Sequence, residues 1–272
     1  MSLVMDASID VNNKPLLVDP QPIIITESVE GFIQDETKVT WLREALATGK
    51  IVIFKKFAEL DEIKKLKTYL TNILRSSIPE FVPITQGAKN NFRINLEDER
   101  AQVKAFFYVW SFYTWNQDLF NLYKKFSIIY NLRNVLSHLP KNTFLSRNTE
   151  LGCAARLSVQ FYPSGVGYFT EHVDPYDKHQ LVVPIMPMSK YGSCFGQGGN
   201  YVVTTSGEKL ITDELTEPGD ILLFHSLCRH GVAKIDPANE FDPMGDIGRW
   251  MMLFAVNKTA GNTEIADAYA VK

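Results

Sequence analysis

Cysteine is scarce in this chain of 272 residues, with three thiols at Cys153, Cys194 and Cys228. The number is odd and no Cys-x-x-Cys pair occurs, so the sequence predicts neither a disulfide framework nor a cysteine-ligated zinc cluster. A surplus of positive charge is missing too: the net charge is -3, which argues against a nucleic-acid partner. Apolar runs such as IVIF and ILLF are too short to cross a bilayer, and the first residues lack the pattern of a secretion signal. We therefore expect a cytoplasmic protein without nucleic-acid or membrane partners.

The composition, 45% hydrophobic, 12% aromatic and 22% charged, is that of an ordinary globular protein. In the first half, residues 35–50 and 58–77 carry apolar side chains three and four positions apart, which predicts two amphipathic helices around a short buried strand in IVIFKKF. Residues 105–139 are rich in aromatic side chains at helical spacing. We expect this segment to form one or two helices packed on a sheet, rather than an aromatic base-stacking surface.

The pattern changes near residue 150. Short β-rich runs such as RLSVQFY, QLVVPIMPM and NYVVTT alternate with glycine, proline and asparagine turns, which is typical of a sandwich or jelly roll. No linker-like stretch separates the two halves. We expect a single domain over 1–272, in which a helical portion with short strands (1–150) packs on a β core (151–260) that a tail (261–272) follows.

The stretch YPSGVGYFTEHVDP contains a His-x-Asp pair, His172 and Asp174. Residues two apart on a strand point to one face, so these two side chains can share a ligand. Such a pair is weak evidence by itself, because a strand that ends in a turn often carries two polar residues. A distant second histidine would complete a two-histidine, one-carboxylate metal site.

Two later stretches supply further candidates. EPGDILLFHSLCRHGVAKI has a Pro-Gly-Asp turn, an apolar strand, and then His230 where the next strand begins. His225 in the same stretch competes with His230, although its odd offset puts it on the opposite face unless a bulge intervenes. GRWMMLFAVN then predicts a strand that opens with Arg249.

The ordered set His-x-Asp, His-Gly-Val and strand arginine resembles the Fe(II)/2-oxoglutarate-dependent oxygenases, in particular the branches of the prolyl hydroxylases and the phytanoyl-CoA hydroxylases. The resemblance covers roughly 150–257. It implies a mainly β fold, a double-stranded β-helix (jelly roll, cupin-like) core, with the α-helical N-terminal portion packed on the major sheet. It also implies Fe(II) as the cofactor and His172, Asp174 and His230 as its ligands.

The resemblance further implies 2-oxoglutarate and O2 as cosubstrates. Arg249 would pair with the far carboxylate of 2-oxoglutarate through two parallel hydrogen bonds, and Tyr162 would add a neutral donor. Gln160 shares strand parity with Tyr162 and is expected to face the same cavity. Because the loop 236–248 lengthens the spacing between His230 and Arg249, Arg156 or Arg229 would be the replacement if Arg249 lay elsewhere.

The implied reaction is hydroxylation, or a related oxidation, of an unactivated C–H bond in a small-molecule, amino-acid or peptide substrate, with decarboxylation of 2-oxoglutarate to succinate. Two alternatives stay open: a non-catalytic jelly-roll module that binds a ligand, and a zinc-dependent hydrolase that uses the same His-Asp-His set. The sequence leaves open the substrate, the choice between hydroxylation, desaturation and cyclisation, the oligomeric state, and whether Arg156, Gln160 or Arg93 contacts the substrate.

Overall fold

The computed structural model describes residues 14–98, 101, 103–176, 180–265 and 267–271. The helices are α1 (Val29–Phe32), α2 (Glu36–Ala47), α3 (Leu60–Ser76) and α4 (Leu122–Leu136). The strands are β1 (Ile23–Ile25), β2 (Val52–Phe54), β3 (Asn91–Leu96), β4 (Ala105–Tyr113), β5 (Cys153–Pro163), β6 (Tyr168–Val173), β7 (Val182–Pro187), β8 (Gly199–Val203), β9 (Lys209–Ile211), β10 (Ile221–His225), β11 (His230–Ala233), β12 (Gly248–Lys258) and β13 (Tyr269–Ala270). A 3-10 helix, Thr212–Glu214, follows β9.

The strand order defines the architecture. Strands β10, β7, β12 and β5 are neighbours in one antiparallel group, and β6, β11, β8 and β9 are neighbours in a second. Each group thus interleaves strands from the two ends of the 153–258 segment, which is how a double-stranded β-helix is wound. The N-terminal portion extends the first group, because β2 pairs with β10 and β4 pairs with β5. The predicted jelly-roll core is confirmed.

The side chains of the strands point alternately into two apolar layers. On β12, Trp250, Met252 and Phe254 pack in the larger cluster together with residues of all four helices, whereas Met251 belongs to the second cluster, inside the barrel. Successive side chains of a strand point to opposite faces, so one strand serves both layers. The outer layer buries the helices on the major sheet, as the sequence predicts.

Local residues fix the ends of the helices that cover the sheet. The side chain of Asp35 accepts hydrogen bonds from the backbone N–H groups of Thr37 and Lys38, which caps α2. Gly49, with φ of +83°, follows the end of this helix, a conformation that costs glycine little. In α3 the buried residues recur at Ile63, Leu66, Leu70 and Leu74, the stripe expected for one helix face against a sheet.

The helix predicted across residues 105–139 is wrong in its first third. Ala105–Tyr113 is the strand β4, which pairs with β3, β5 and β6, and only Leu122–Leu136 is helical. Most of the strand is buried, with side chains in both apolar layers. A strand covered on both faces is apolar throughout and shows no period of two, so its pattern does not distinguish it from a buried helix.

None of the helices in the described part of the chain combines the length and the apolar character needed to cross a membrane. The division of the chain near residue 150 stays a prediction.

Candidate metal centre

The site lies where β6 and β11 pair inside the barrel. His172 is the penultimate residue of β6, Asp174 follows directly after this strand, and His230 opens β11. The antiparallel register places His230 opposite His172. The ladder therefore brings together a pair that is local in sequence and a histidine that is remote from it.

The three side chains converge on one point. His230 Nε2 lies 3.3 Å from Asp174 Oδ2, and His172 Nε2 lies 4.0 Å from Asp174 Oδ1. One ligand atom from each residue lies within 4.8 Å of the other two. These separations fit three ligands of one ion, because metal bonds of 2.0–2.2 Å allow neighbouring ligand atoms to be about 3–4 Å apart.

Hydrogen bonds fix which nitrogen of each imidazole faces the site. His172 Nδ1 lies 2.8 Å from the carbonyl oxygen of Thr170, and His230 Nδ1 lies 2.8 Å from the carbonyl oxygen of Cys228. A carbonyl can only accept, so each Nδ1 carries a proton, and in the neutral ring each Nε2 then has a lone pair. This is the arrangement in which a histidine ligates a metal and is oriented from behind.

Aromatic rings pack against both histidines. The ring of Phe169 lies 4.1 Å from that of His172, and the ring of Phe224 lies 4.8 Å from that of His230. These contacts restrict the rotation of the imidazoles and exclude water on that side.

Burial and charge set the protonation of the group. Burial, assisted by His230, lowers the pKa of His172 to about 4, so this ring is neutral near pH 7. Burial acts to raise the pKa of Asp174, but the two histidines outweigh it and the net direction is downward. For His230 burial acts to lower the pKa, and the contact with Asp174 reverses this. A cation held here would compete with protons for the His230 nitrogen, so its binding would weaken in acid.

A small cavity of about 50 Å³ opens beside these three groups. Its lining combines the three ligand candidates with a few polar and several apolar side chains: Gln160, Tyr162, Phe169, His172, Asp174, Val183, Ile185, Asn200, Phe224, His230, Gly231, Val232, Met251 and Leu253. Two of the residues expected to hold the cosubstrate, Tyr162 and Gln160, therefore face the same space as the metal candidates.

Tyr162 and Gln160 are joined to each other. The hydroxyl of Tyr162 donates to Gln160 Oε1 at 2.6 Å. Burial raises the pKa of Tyr162 well above its ordinary value, so this hydroxyl stays a neutral donor. The centre of the Tyr162 ring lies 5.5 Å from Cζ of Arg249. The predicted guanidinium is therefore next to a residue that lines the cavity, although Arg249 is not itself part of the lining.

Arg249 has a partner that sequence reasoning missed. Its Nε and Nη2 atoms donate to Asp213 at 2.6 and 3.1 Å, and its Nη1 is buried with no hydrogen-bond partner among the described residues. Asp213 also accepts from the backbone N–H of Asn200 at 2.6 Å. Asp213 has no motif around it in the sequence. In the structure Gly199 leaves room for this carboxylate, because a Cβ at Gly199 would lie 2.7 Å from Asp213 Oδ2.

The other predicted candidates lie elsewhere. The ring of His225 is tilted against that of Tyr176, with ring centres 5.3 Å apart, and His225 takes no part in the three-residue group. Arg229 pairs with Glu171, Arg93 lies over the ring of Phe81, and Arg156 lies near buried tyrosines. The lining of the cavity, over the described residues, includes none of these three arginines, and it does not include Arg249 either.

The donor set is chemically suited to ferrous iron. Two neutral imidazole nitrogens and one carboxylate oxygen on one side of a cation are the ligands of non-haem Fe(II) sites that keep open positions. The three-residue group contains no thiol, and burial raises the pKa of the Cys228 thiol to about 12, so a thiolate ligand is not available from this neighbouring residue.

Comparison with known proteins bears on the fold. No family model matches the chain, and no curated protein matches it. Among solved structures, it is similar to a provisionally assigned oxygenase from Shewanella oneidensis, with 12% identity, a TM-score of 0.53, and 86% of this chain and 89% of that one covered. It is also similar to a full-length Neurospora crassa protein solved in complex with alpha-KG (2-oxoglutarate) and thymine, with 11% identity, a TM-score of 0.52, and coverage of 92% and 87%.

At these identities the likeness establishes the fold. The chain shares its fold with these two structures, and the fold implied by its ordered motifs is confirmed. Fold alone does not fix an activity.

Proposed function

We propose that the chain is an Fe(II)- and 2-oxoglutarate-dependent dioxygenase of the cytoplasm that hydroxylates, or otherwise oxidises, an unactivated C–H bond of a small-molecule, amino-acid or peptide substrate. The observation that carries the proposal is the convergence of the His172, Asp174 and His230 ligand atoms within 4.8 Å of one another. The alpha-KG bound to the Neurospora crassa protein, which has a similar fold, supports the choice of cosubstrate.

His172, Asp174 and His230 would hold the iron. When bound, Fe(II) supplies the activation of O2 that couples oxidation of a C–H bond to decarboxylation of 2-oxoglutarate, with release of succinate and CO2. The protein contributes ligand geometry through the two Nδ1 hydrogen bonds and a neutral His172 at physiological pH.

Two further roles fall to residues in and beside the cavity. Arg249 and Tyr162 would receive the far end of the cosubstrate, since a guanidinium nitrogen and a neutral phenol are both donors, and the Tyr162 hydroxyl would turn away from Gln160 Oε1 to do so. The apolar side chains of Val183, Phe224 and Met251 line the same cavity as the ligand set. They exclude water, which strengthens the polar contacts.

The test is 2-oxoglutarate turnover. Protein loaded anaerobically with Fe(II) is supplied with 2-oxoglutarate, O2 and candidate substrates, and succinate is measured together with a gain of one oxygen in the substrate by mass spectrometry. Pyrimidine bases come first in the screen because the Neurospora crassa protein of similar fold binds thymine, followed by amino acids, peptides, and lipid or nucleoside intermediates. His172→Ala and Asp174→Ala should abolish succinate release, whereas His225→Asn should retain it.

Full turnover in His172→Ala or Asp174→Ala would overturn the proposal. Calorimetry with Mn(II) and 2-oxoglutarate separates the oxygenase from a jelly-roll module that only binds another ligand, since the module would bind neither. Metal analysis of protein purified without oxygen separates it from a hydrolase, which would carry zinc.

A further inference from the structure

Two of the three nitrogens of the Arg249 guanidinium already donate hydrogen bonds within the protein. Asp213 takes the side of the guanidinium formed by Nε and Nη2, through two hydrogen bonds of 2.6 and 3.1 Å. Both side chains are almost completely buried, with 1% and 2% of their surfaces exposed. Nη1, by contrast, has no hydrogen-bond partner among the described residues, so the protein does not use the donors of this nitrogen.

Asp213 is itself fixed in place. The backbone N–H of Asn200 donates to it at 2.6 Å, and the side-chain amide of Asn200 donates to Thr212 Oγ1 at 2.7 Å. Gly199 leaves the room that the carboxylate occupies. Asp213 is therefore held beside the guanidinium by the fold itself, and the residue that donates to it, Asn200, lines the cavity.

This pairing changes the charge that a ligand meets. A buried arginine without a counter-ion would be a strong attractor for a carboxylate, whereas Arg249 and Asp213 together are formally neutral, and Tyr162 is neutral as well. A ligand carboxylate on Nη1 gains a charge-assisted hydrogen bond, but it also lies near the like charge of Asp213 in a buried site.

We propose that Asp213 is a specificity-determining residue for the 2-oxo acid: it lowers the preference of the pocket for a carboxylate at the far end of the cosubstrate. Monoanionic 2-oxo acids of the same chain length then compete with 2-oxoglutarate. This inference rests on the proposed function, because it concerns the acid that the same site would bind.

The test compares two acids that differ only in the far carboxylate, 2-oxoglutarate and 2-oxopentanoate. Dissociation constants for the Mn(II)-loaded protein are measured by calorimetry without O2. In the native chain we expect 2-oxoglutarate to be preferred by about ten-fold or less. Asp213→Asn removes the like charge and should increase that preference by at least about ten-fold.

Three comparisons complete the design. Asp220→Asn removes another buried carboxylate that pairs with a lysine, Lys55, away from the cavity, and should leave the preference unchanged. Arg249→Gln should bring the preference close to one, and a preference that survives this change would overturn the inference. If Asp213→Asn does not fold, as judged by circular dichroism, the native preference decides: about ten-fold or less supports the inference, and a larger preference contradicts it.

The outcomes separate the inference from the proposed function. If both acids bind and Asp213→Asn leaves the preference where it was, the assignment of Asp213 is wrong while the oxygenase proposal stands. If neither acid binds the Mn(II)-loaded native protein, the proposed function is overturned, and the inference with it.

Discussion

His172 and His230 are cross-strand neighbours in the antiparallel pair of β6 and β11, with ring centres 4.2 Å apart. One ladder therefore fixes two ligand candidates from remote parts of the sequence, and Asp174 completes the group by following β6 directly. The candidate metal centre depends on strand register, because a slip of either strand by one residue would turn its imidazole to the other face.

Replacement of His230 by alanine should weaken binding of Mn(II), as a stand-in for Fe(II), by at least about 100-fold, since the loss of a ligand exceeds the 10- to 100-fold cost of losing an outer-shell partner. Calorimetry under nitrogen measures the effect. His225→Asn is the matched control, because His225 is also buried but lies outside the ligand group. Equal losses in the two variants would refute the assignment of His230.

Tyr162→Phe removes the neutral donor at the far end of the cavity. A net hydrogen bond contributes about 0.5–1.5 kcal/mol, so 2-oxoglutarate affinity should fall by about two- to ten-fold while Mn(II) affinity is unchanged. Tyr108→Phe, on the outer face of the same sheet, removes a hydroxyl that donates to the Pro243 carbonyl at 3.3 Å and should leave both affinities alone. A loss of metal binding in Tyr162→Phe would mean that the hydroxyl has a different role.

Alanine substitutions at Gly199 and Gly207 distinguish the cost of close packing from the cost of backbone strain. Both have positive φ, +111° and +85°, but an added Cβ at Gly199 would lie 2.7 Å from Asp213 Oδ2, whereas one at Gly207 would meet nothing within 4 Å. Gly199→Ala should therefore lower the free energy of unfolding by about 1–3 kcal/mol more than Gly207→Ala does. Urea denaturation compares the two, and similar losses would show that Asp213 moves aside easily.

Stability should fall in mild acid because of His225. Burial lowers the pKa of this residue to about 4 in the folded chain, against about 6.5 when unfolded. The unfolded chain then binds more protons between these values, so the contribution is complete above pH 6.5 and is lost as the pH falls towards 4. Between pH 7 and pH 5 the loss from this one group is about 2 kcal/mol.

The variant His225→Asn isolates that contribution. Asparagine supplies an acceptor in the place of His225 Nδ1, which accepts from the backbone N–H of Leu227 at 3.2 Å, and it does not titrate. Urea denaturation at the two pH values should show a smaller loss in the variant than in the native chain. Parallel losses would indicate that His225 is solvated when folded.

The sequence predicted the ligand group and two of the helices, because motif order or apolar periodicity was clear there. His172, Asp174 and His230 were predictable as a group because their order and strand positions are specific together, and the structure brings them together. The helices α2 and α3 followed from their amphipathic periods. The strand β4 did not, because Ala105–Tyr113 is covered on both faces and so shows no alternation.

The partner of Arg249 could not be read from the sequence. Asp213 lies in a short 3-10 turn with no motif around it, and its place beside the guanidinium depends on how β8 and β9 pack against β12. A contact of this kind is set by the tertiary fold. The sequence predicted an Arg249 guanidinium that is free to pair with a ligand carboxylate. In the structure this guanidinium already pairs with the carboxylate of Asp213.

Each imidazole of the site is oriented by a main-chain oxygen two residues earlier in the chain, from Thr170 and from Cys228. Main-chain carbonyls are the same whatever side chain is attached, so the tautomers do not depend on a neighbouring carboxylate or amide that a point mutation could remove. Substitution at positions 170 and 228 is thus free to follow packing and solubility over evolutionary time, and the coordination chemistry is insulated from it for as long as the two segments keep their conformation.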